Sequence, residues 1–190
     1  MAIKKFLILL AFPSLFFAQD IKLSFDMDGD RIPDKVYANP ESGVVAYRLS
    51  SQKFKEVTST DFIDSGNIFL YKTKNGFRIS LTQMRASNAY QFRFEKESGK
   101  MRLIGMEREE FGPANNDGSG ESSVNLLTND YIGEWNYWDN SKMELVKMPA
   151  IKKKIVFTKV YFDTMNGEFS NYMEKDSGYY LSEKKKLYTE

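Results

Sequence analysis

Turn-forming pairs punctuate this chain at short, regular intervals, and that rhythm constrains its fold more than any other feature. Asn39-Pro40, Ser65-Gly66, Asn75-Gly76, Ser98-Gly99, Gly112-Pro113, Asp117-Gly118, Asn140-Ser141 and Asn166-Gly167 each read as a reversal. The stretches between them are short and rich in Val, Ile, Phe, Tyr and Thr. Side chains of that type suit a pleated surface, and Gly, Asn, Asp and Pro supply the backbone angles that turns need. The pattern predicts an all-β protein of antiparallel hairpins, stacked as a sandwich or as a partial propeller-like set of sheets. One short C-terminal helix fits at 169–175.

Three hairpins can be placed. Segments 68–73 and 77–81 flank Asn75-Gly76, a type I′ signal, because both central positions of that turn need positive φ. Tyr90, Phe92 and Phe94 alternate with Gln91, Arg93 and Glu95, as in a half-buried strand, and 101–106 returns after Ser98-Gly99. Segments 131–138 and 143–148 flank the turn 139–142. A further strand is predicted over 154–162, and an exposed, frayed tail over 183–190.

The chain has 190 residues, 42% of them hydrophobic, which fits one domain with a real core. No internal repeat and no linker divides it. It contains neither Cys nor His. That excludes disulfides, thiol nucleophiles, thiolate or imidazole metal sites, and Ser-His-Asp or Cys-His catalysis. Formal net charge is +1, and the Lys runs at 152–154 and 184–186 read as solvated edges, so no nucleic-acid partner is implied.

The N-terminus reads as a signal peptide over 1–18. Lys4 and Lys5 precede an apolar run at 6–17, and Ala18 offers a small residue for cleavage. That run is shorter than the ~20 residues a membrane span needs, so no stable membrane anchor is expected after cleavage. Residues 19–190 would then form one exported β domain, periplasmic or secreted.

The clearest chemical motif is the acidic loop of Asp26, Asp28, Asp30 and Asp34, with a strand expected on either side. Carboxylates at alternate positions of a curled loop can face one point, and calcium takes six to eight hard oxygen ligands. The Ile32 carbonyl can supply another oxygen. No Glu closes the loop at Tyr37, so a full shell would need water or a ligand from elsewhere. The competing expectation is an acidic turn capped by its own Asp side chains. The loop resembles the Asp-x-Asp-x-Asp-Gly-x-x-Asp calcium loops of FG-GAP, dockerin and thrombospondin type 3 proteins. Arg31 stands where those loops carry Gly, and a left-handed non-Gly residue there costs roughly 1 kcal/mol.

A weaker echo spans Asn115 to Ser123, read as a flexible polar loop of the kind that often carries function. Asn116, Asp117, Ser119 and Glu121, with nearby Trp135 and Trp138, form the expected recognition surface for an extracytoplasmic protein or glycan. Strand alternation also allows Tyr131, Trp135 and Tyr137 to build core instead. Glu107, Glu109, Glu110, Asp117 and Glu121 cluster in sequence, which leaves a carboxylate-based glycan hydrolase as an alternative. No catalytic residue is assigned. A purely structural envelope protein is the remaining rival.

Over roughly 75–151 the chain resembles a family of small uncharacterised secreted proteins of Gram-negative bacteria. The residues that carry it are Lys74-Asn75-Gly76-Phe77, Gln91-Phe92-Arg93-Phe94, Leu103-Ile104-Gly105-Met106, Asn116-Asp117-Gly118-Ser119-Gly120, Ser123-Val124-Asn125-Leu126-Leu127-Thr128 and Tyr131-Ile132-Gly133. The layout more loosely resembles periplasmic β proteins of xanthomonads that neutralise peptidoglycan-cleaving toxins. The resemblance implies export and a β fold, and supplies no mechanism.

Overall fold

The computed structural model describes residues 21–39, 41–59, 67–165 and 167–187. The segment 1–18 expected as a signal peptide, Pro40, Ser65-Gly66, Asn166 and the last three residues lie outside them. Twelve strands form two antiparallel sheets, and neither closes into a barrel among the described residues. The smaller sheet is β1 (Ile21–Phe25), β2 (Asp34–Asn39), β3 (Val44–Arg48) and β4 (Glu56–Thr58), paired in chain order. The larger sheet runs through β5 (Ile68–Thr73), β6 (Gly76–Thr82), β7 (Ala86–Glu95), β8 (Lys100–Glu110), β9 (Gly120–Asn125) and β10 (Asp130–Asp139). The far edge of β10 is shared by β11 (Glu144–Lys147) and β12 (Ile151–Lys154). Pro149 lies between these two pieces and cannot donate to a ladder, so what would be one edge strand is broken. The all-β expectation holds, with the sandwich as its form.

Alternation does the sorting. On β10, Tyr131, Gly133, Trp135 and Tyr137 turn inward and are buried, while Ile132, Glu134, Asn136 and Trp138 turn outward. On β7, Tyr90 and Phe92 are buried and Gln91 and Arg93 are not. A bulge at Gln91/Phe92 leaves Ile104 without a partner across the β7–β8 ladder and lets both Leu103 and Ile104 be buried.

The hairpin at Asn75-Gly76 is real, but its turn sits one residue earlier. Thr73 pairs with Gly76, so Lys74 and Asn75 form the loop, and only Asn75 has positive φ, at 56°. Gly76 serves another purpose: a Cβ there would run into the Phe92 carbonyl of the next strand. The turns at 96–99 and 140–143 follow expectation, the second capped by Asp139, whose carboxylate accepts the Ser141 and Lys142 N–H groups.

Segment 154–162 is not a strand beyond Lys154, which ends β12. After Lys154 the chain crosses the inner face, touching the β8 ladder through Leu103 N–H to the Val160 carbonyl and a bridge between Arg102 and Tyr161. Ile155, Val160, Phe162 and Met165 plug the core from this irregular path. Phe162, in a short 3₁₀ turn at Phe162–Thr164, packs against Tyr47 of the small sheet and Phe77 and Phe92 of the large one.

Glu95 pins that crossover. It accepts from the Tyr161 hydroxyl at 2.6 Å, the Lys159 ammonium at 2.9 Å and the Arg102 guanidinium at 3.3 Å. The Tyr161 bond, then Lys159, hold its carboxyl at about 2, well below the usual 4.5. A depressed carboxyl contributes stability above its unfolded pKa and loses it as pH falls through the folded value. Glu95→Gln should therefore flatten the acid limb of stability between about pH 5 and pH 2. Urea melts across that window check this, and parallel limbs for the two proteins would refute it.

The C-terminal helix α1 is Glu168–Leu187, longer than the segment expected at 169–175, and it takes in the first part of the expected tail. It lies on the inner face of β8, β10 and β12.

Candidate functional site

The acidic loop joins β1 to β2, and the antiparallel register of Phe25 with Asp34 brings its two ends together. Met27 points into the core and is fully buried, which forces its neighbours Asp26 and Asp28 toward the opposite side. Carboxylate oxygens of Asp26, Asp28 and Asp34 then lie within 4.8 Å of one another. Asp28 and Asp34 are buried and Asp26 is half-buried. Asp30 is exposed and stands outside this group. Its carboxylate accepts from the Ile32 N–H at 2.8 Å and the Ser50 hydroxyl at 2.7 Å. Ile32, whose carbonyl was the fifth expected ligand, has an exposed side chain.

Backbone N–H groups line the same carboxylates. Asp26 accepts from Gly29 at 2.7 Å and Arg31 at 3.0 Å, and Asp28 accepts from Asp30 at 3.2 Å. Arg31 adopts φ 71°, the left-handed conformation the loop pattern calls for. The Asp26 bond to its N–H offsets part of that strain. Asp34, fully buried, is the anchor: it accepts Met27 N–H at 2.6 Å, Ser50 N–H at 2.7 Å and the Ser50 hydroxyl at 3.0 Å. Ser51 donates to Asp28. The loop is therefore tied to the 3₁₀ turn Ser50–Gln52, whose Gln52 side chain donates in turn to the Gly99 carbonyl at the β7–β8 tip. Ser50, Ser51 and Gln52 carry no motif. They are found only because the β2–β3–β4 register folds them beside the loop.

The expected recognition residues do not form one surface. Trp135 is buried, with Tyr180 of α1 against its ring and the Arg108 guanidinium 5.5 Å from its centroid. It is core because strand alternation places it inward with Tyr131 and Tyr137. Asp117 is not free for a ligand either. It accepts the Trp138 N–H at 2.7 Å and the Lys184 ammonium at 2.7 Å on each oxygen, and the Tyr180 hydroxyl also reaches it. Lys184 and the Trp138 N–H hold its carboxyl below the usual range against the opposing effect of burial.

The polar loop is pinned rather than loose. Besides Asp117, Arg85 donates to the carbonyls of Phe111, Gly112 and Pro113. Asn116 is exposed at the tip, Ser119 is half-buried against Asn136, and Trp138 is half-buried. Arg85, Tyr180 and Lys184 were missed. The Tyr180–Lys184 spacing of four, one helical turn, was the available signal.

Glu121 belongs elsewhere, on the outer face of the large sheet. Register aligns Ser87, Glu109, Glu121 and Glu134 across β7, β8, β9 and β10. With Glu107, Arg78 and Ile132 they line an open groove of about 420 Å³. Glu110 and Asp117 do not join it. Glu110 pairs with Arg108 at 3.0 Å, and Asp117 with Lys184. No family model matches this chain, and no curated protein or solved structure is significantly similar to it.

Proposed function

We propose that this protein is an exported, calcium-binding β module that engages an extracytoplasmic protein or glycan. The observation that carries the reading is the convergence of Asp26, Asp28 and Asp34 within 4.8 Å at the mouth of the smaller sheet. Three carboxylates so close repel one another, and a divalent cation relieves that repulsion. The donors are all hard oxygens, which suits calcium, and the chain has no His or Cys to favour a softer metal. Asp30 and the Ile32 carbonyl are the loop's own further oxygens to extend the shell, with water completing it. Bound there, calcium would clamp the β1–β2 connection to the Ser50–Gln52 turn and act as a stabiliser of the fold.

Export is supported by the basic and apolar N-terminal segment. No helix among the described residues is long and apolar enough to cross a membrane. The resemblance to small secreted proteins of Gram-negative bacteria points the same way. For the partner, the outer groove with its glutamates replaces the loop-and-tryptophan surface, because its side chains are turned to solvent.

Thermal melts in calcium and in EGTA test the metal. A ligand specific for the folded state adds RT ln(1 + [Ca]/Kd), about 2.7 kcal/mol at a hundredfold excess over Kd. For a chain of this size that is a rise of several degrees. An unchanged melting temperature would leave the loop as an acidic turn held by its own hydrogen bonds.

A further inference from the structure

The outer face of β7, β8 and β9 is turned to solvent, because α1 and the 3₁₀ turn at Phe162–Thr164 pack on the inner face. Strand register sorts its charges by sign. At one end Glu109, Glu121 and Glu134 stand directly opposite one another on β8, β9 and β10. At the other end Arg93 stands directly opposite Arg102. Neighbouring strands are about 4.8 Å apart, and like charges so placed destabilise a sheet. Between the two ends Ala89 and Gly105 keep the floor low. There Arg78 of β6 reaches over β7 to pair with Glu107 of β8 at 2.7 Å. That pair divides the face into the acidic groove of about 420 Å³ and a second basin of about 240 Å³, lined in part by Gln91, Arg93, Gly105, Asn125 and Leu127.

Most of these charges are satisfied within the protein. Arg102 has Glu95 at 3.3 Å, Glu134 has Lys147 at 3.1 Å, and Glu109 accepts the Ser87 hydroxyl at 3.0 Å. Arg93 and Glu121 have neither a hydrogen bond nor an ion pair among the described residues. Glu121 is exposed, so water serves it. Arg93 is half-buried, and its Nε is shut off from water without an acceptor. A guanidinium offers five donors in a planar fork and no acceptor, and a carboxylate fits that fork. A buried donor left unpaired is costly, and an anion from outside would relieve the charge beside it.

We propose that this face binds a short extended peptide, with a carboxylate in the Arg93 basin and a basic group over Glu109 and Glu121. The proposal rests on the reading of the outer groove as the partner surface. Glu121 and Asn125, which border the two ends on β9, are separated by about 13 Å at 3.3 Å per residue. An extended tetrapeptide spans about the same length. Ile132 and Leu127, both exposed, offer its side chains an apolar wall. A neutral glycan would leave both charged ends unpaired, whereas a peptide of opposite ends satisfies both. Calcium is not needed, since the acidic loop lies on the other sheet.

Nuclear magnetic resonance of the ¹⁵N-labelled full chain in EGTA tests this, with acetyl-Lys-Leu-Ala-Ala titrated to millimolar concentration. Amides of 91–93, 105–107 and 121–125 should shift, together with the Arg93 Nε–H. Amidating the peptide's C-terminus should weaken binding roughly tenfold, the loss of one charge-assisted pair, and so should Arg93→Gln or Glu121→Gln with the free acid. Arg93→Gln removes one of two like charges, so its melting temperature should equal or exceed that of the wild type, which separates lost binding from lost folding. Equal binding of the amidated and free peptides, or full affinity in Arg93→Gln, overturns the carboxylate site. If the tetramer of N-acetylglucosamine shifts these amides and the peptide does not, the peptide is refuted and the groove stands as a glycan surface. If neither shifts any amide of this face, the groove fails as a partner surface as well.

Discussion

Phe162→Ala should lower stability by about 3–5 kcal/mol, the range for emptying a buried aromatic site. The ring is fully buried and stands 5.2 Å from Tyr47, 5.7 Å from Phe77 and 5.2 Å from Phe92. Tyr47 comes from the smaller sheet and the two phenylalanines from the larger, so this one side chain fills the space where the sheets meet. Little can collapse into the void, because the neighbouring rings are fixed on paired strands. Offset and edge-on ring contacts add to the loss. Urea unfolding followed by near-ultraviolet dichroism measures it. A cost under about 1 kcal/mol would mean that the ring is peripheral to the sheet interface.

That residue also marks where the sequence stops being readable. It was expected at the end of a strand over 154–162, a stretch rich in β-branched and aromatic residues. Such composition alone cannot say whether a ladder partner exists. Here β10 already has β9 on one side and β11 with β12 on the other, so no open edge of β10 remains for a longer strand. The apolar residues of this segment find the core one by one instead. The hairpins around 74–75, 96–99 and 140–143 were legible because local turn chemistry and alternation decide them together. The glycine at 76 was legible as a turn residue but is needed for its closeness to Phe92, a contact between strands that only register reveals.

The helix was half legible for a related reason. Segment 169–175 carries Phe169 and Tyr172 on one side, enough to suggest a first turn or two. The remainder mixes Tyr179, Tyr180 and Leu187 with charged residues, is interrupted by Gly178 and has three lysines near its end. What holds it is Tyr179 on Tyr131 and Tyr180 on Trp135, together with Asp176 reaching Arg108 and Tyr131, and Lys184 reaching Asp117, all long-range partners. The acidic loop lies at the other extreme. Its spacing predicted converging carboxylates and a left-handed Arg31, and both are present. Asp30 stands outside the group of three because its carboxylate is taken up by the Ile32 N–H and by the Ser50 hydroxyl, 20 residues downstream.

Asp34→Ala is expected to have the largest effect among the loop residues, on the order of 3–5 kcal/mol even in EGTA. Its fully buried carboxylate receives Met27 N–H and Ser50 N–H, which have no other acceptor, and shares the Ser50 hydroxyl with Asp30. Each donor left buried without an acceptor costs about 1–3 kcal/mol, and loss of one like charge beside Asp26 and Asp28 gives back only part of that. Asp26 has a different standing, since its two acceptor bonds serve the exposed backbone of Gly29 and Arg31. Asp26→Asn should therefore melt within a few degrees of wild type in EGTA, yet lose the upward shift that calcium gives the wild-type protein. The pair separates two roles that one substitution would confound: Asp34 holds the fold with or without metal, and Asp26 matters chiefly when the metal is bound. Paired melts of both variants, each with calcium and with EGTA, decide it. If Asp26→Asn retains the full calcium shift, the ion is not held by this cluster. If Asp34→Ala melts like wild type in EGTA, the buried carboxylate is not the anchor its three donors make it.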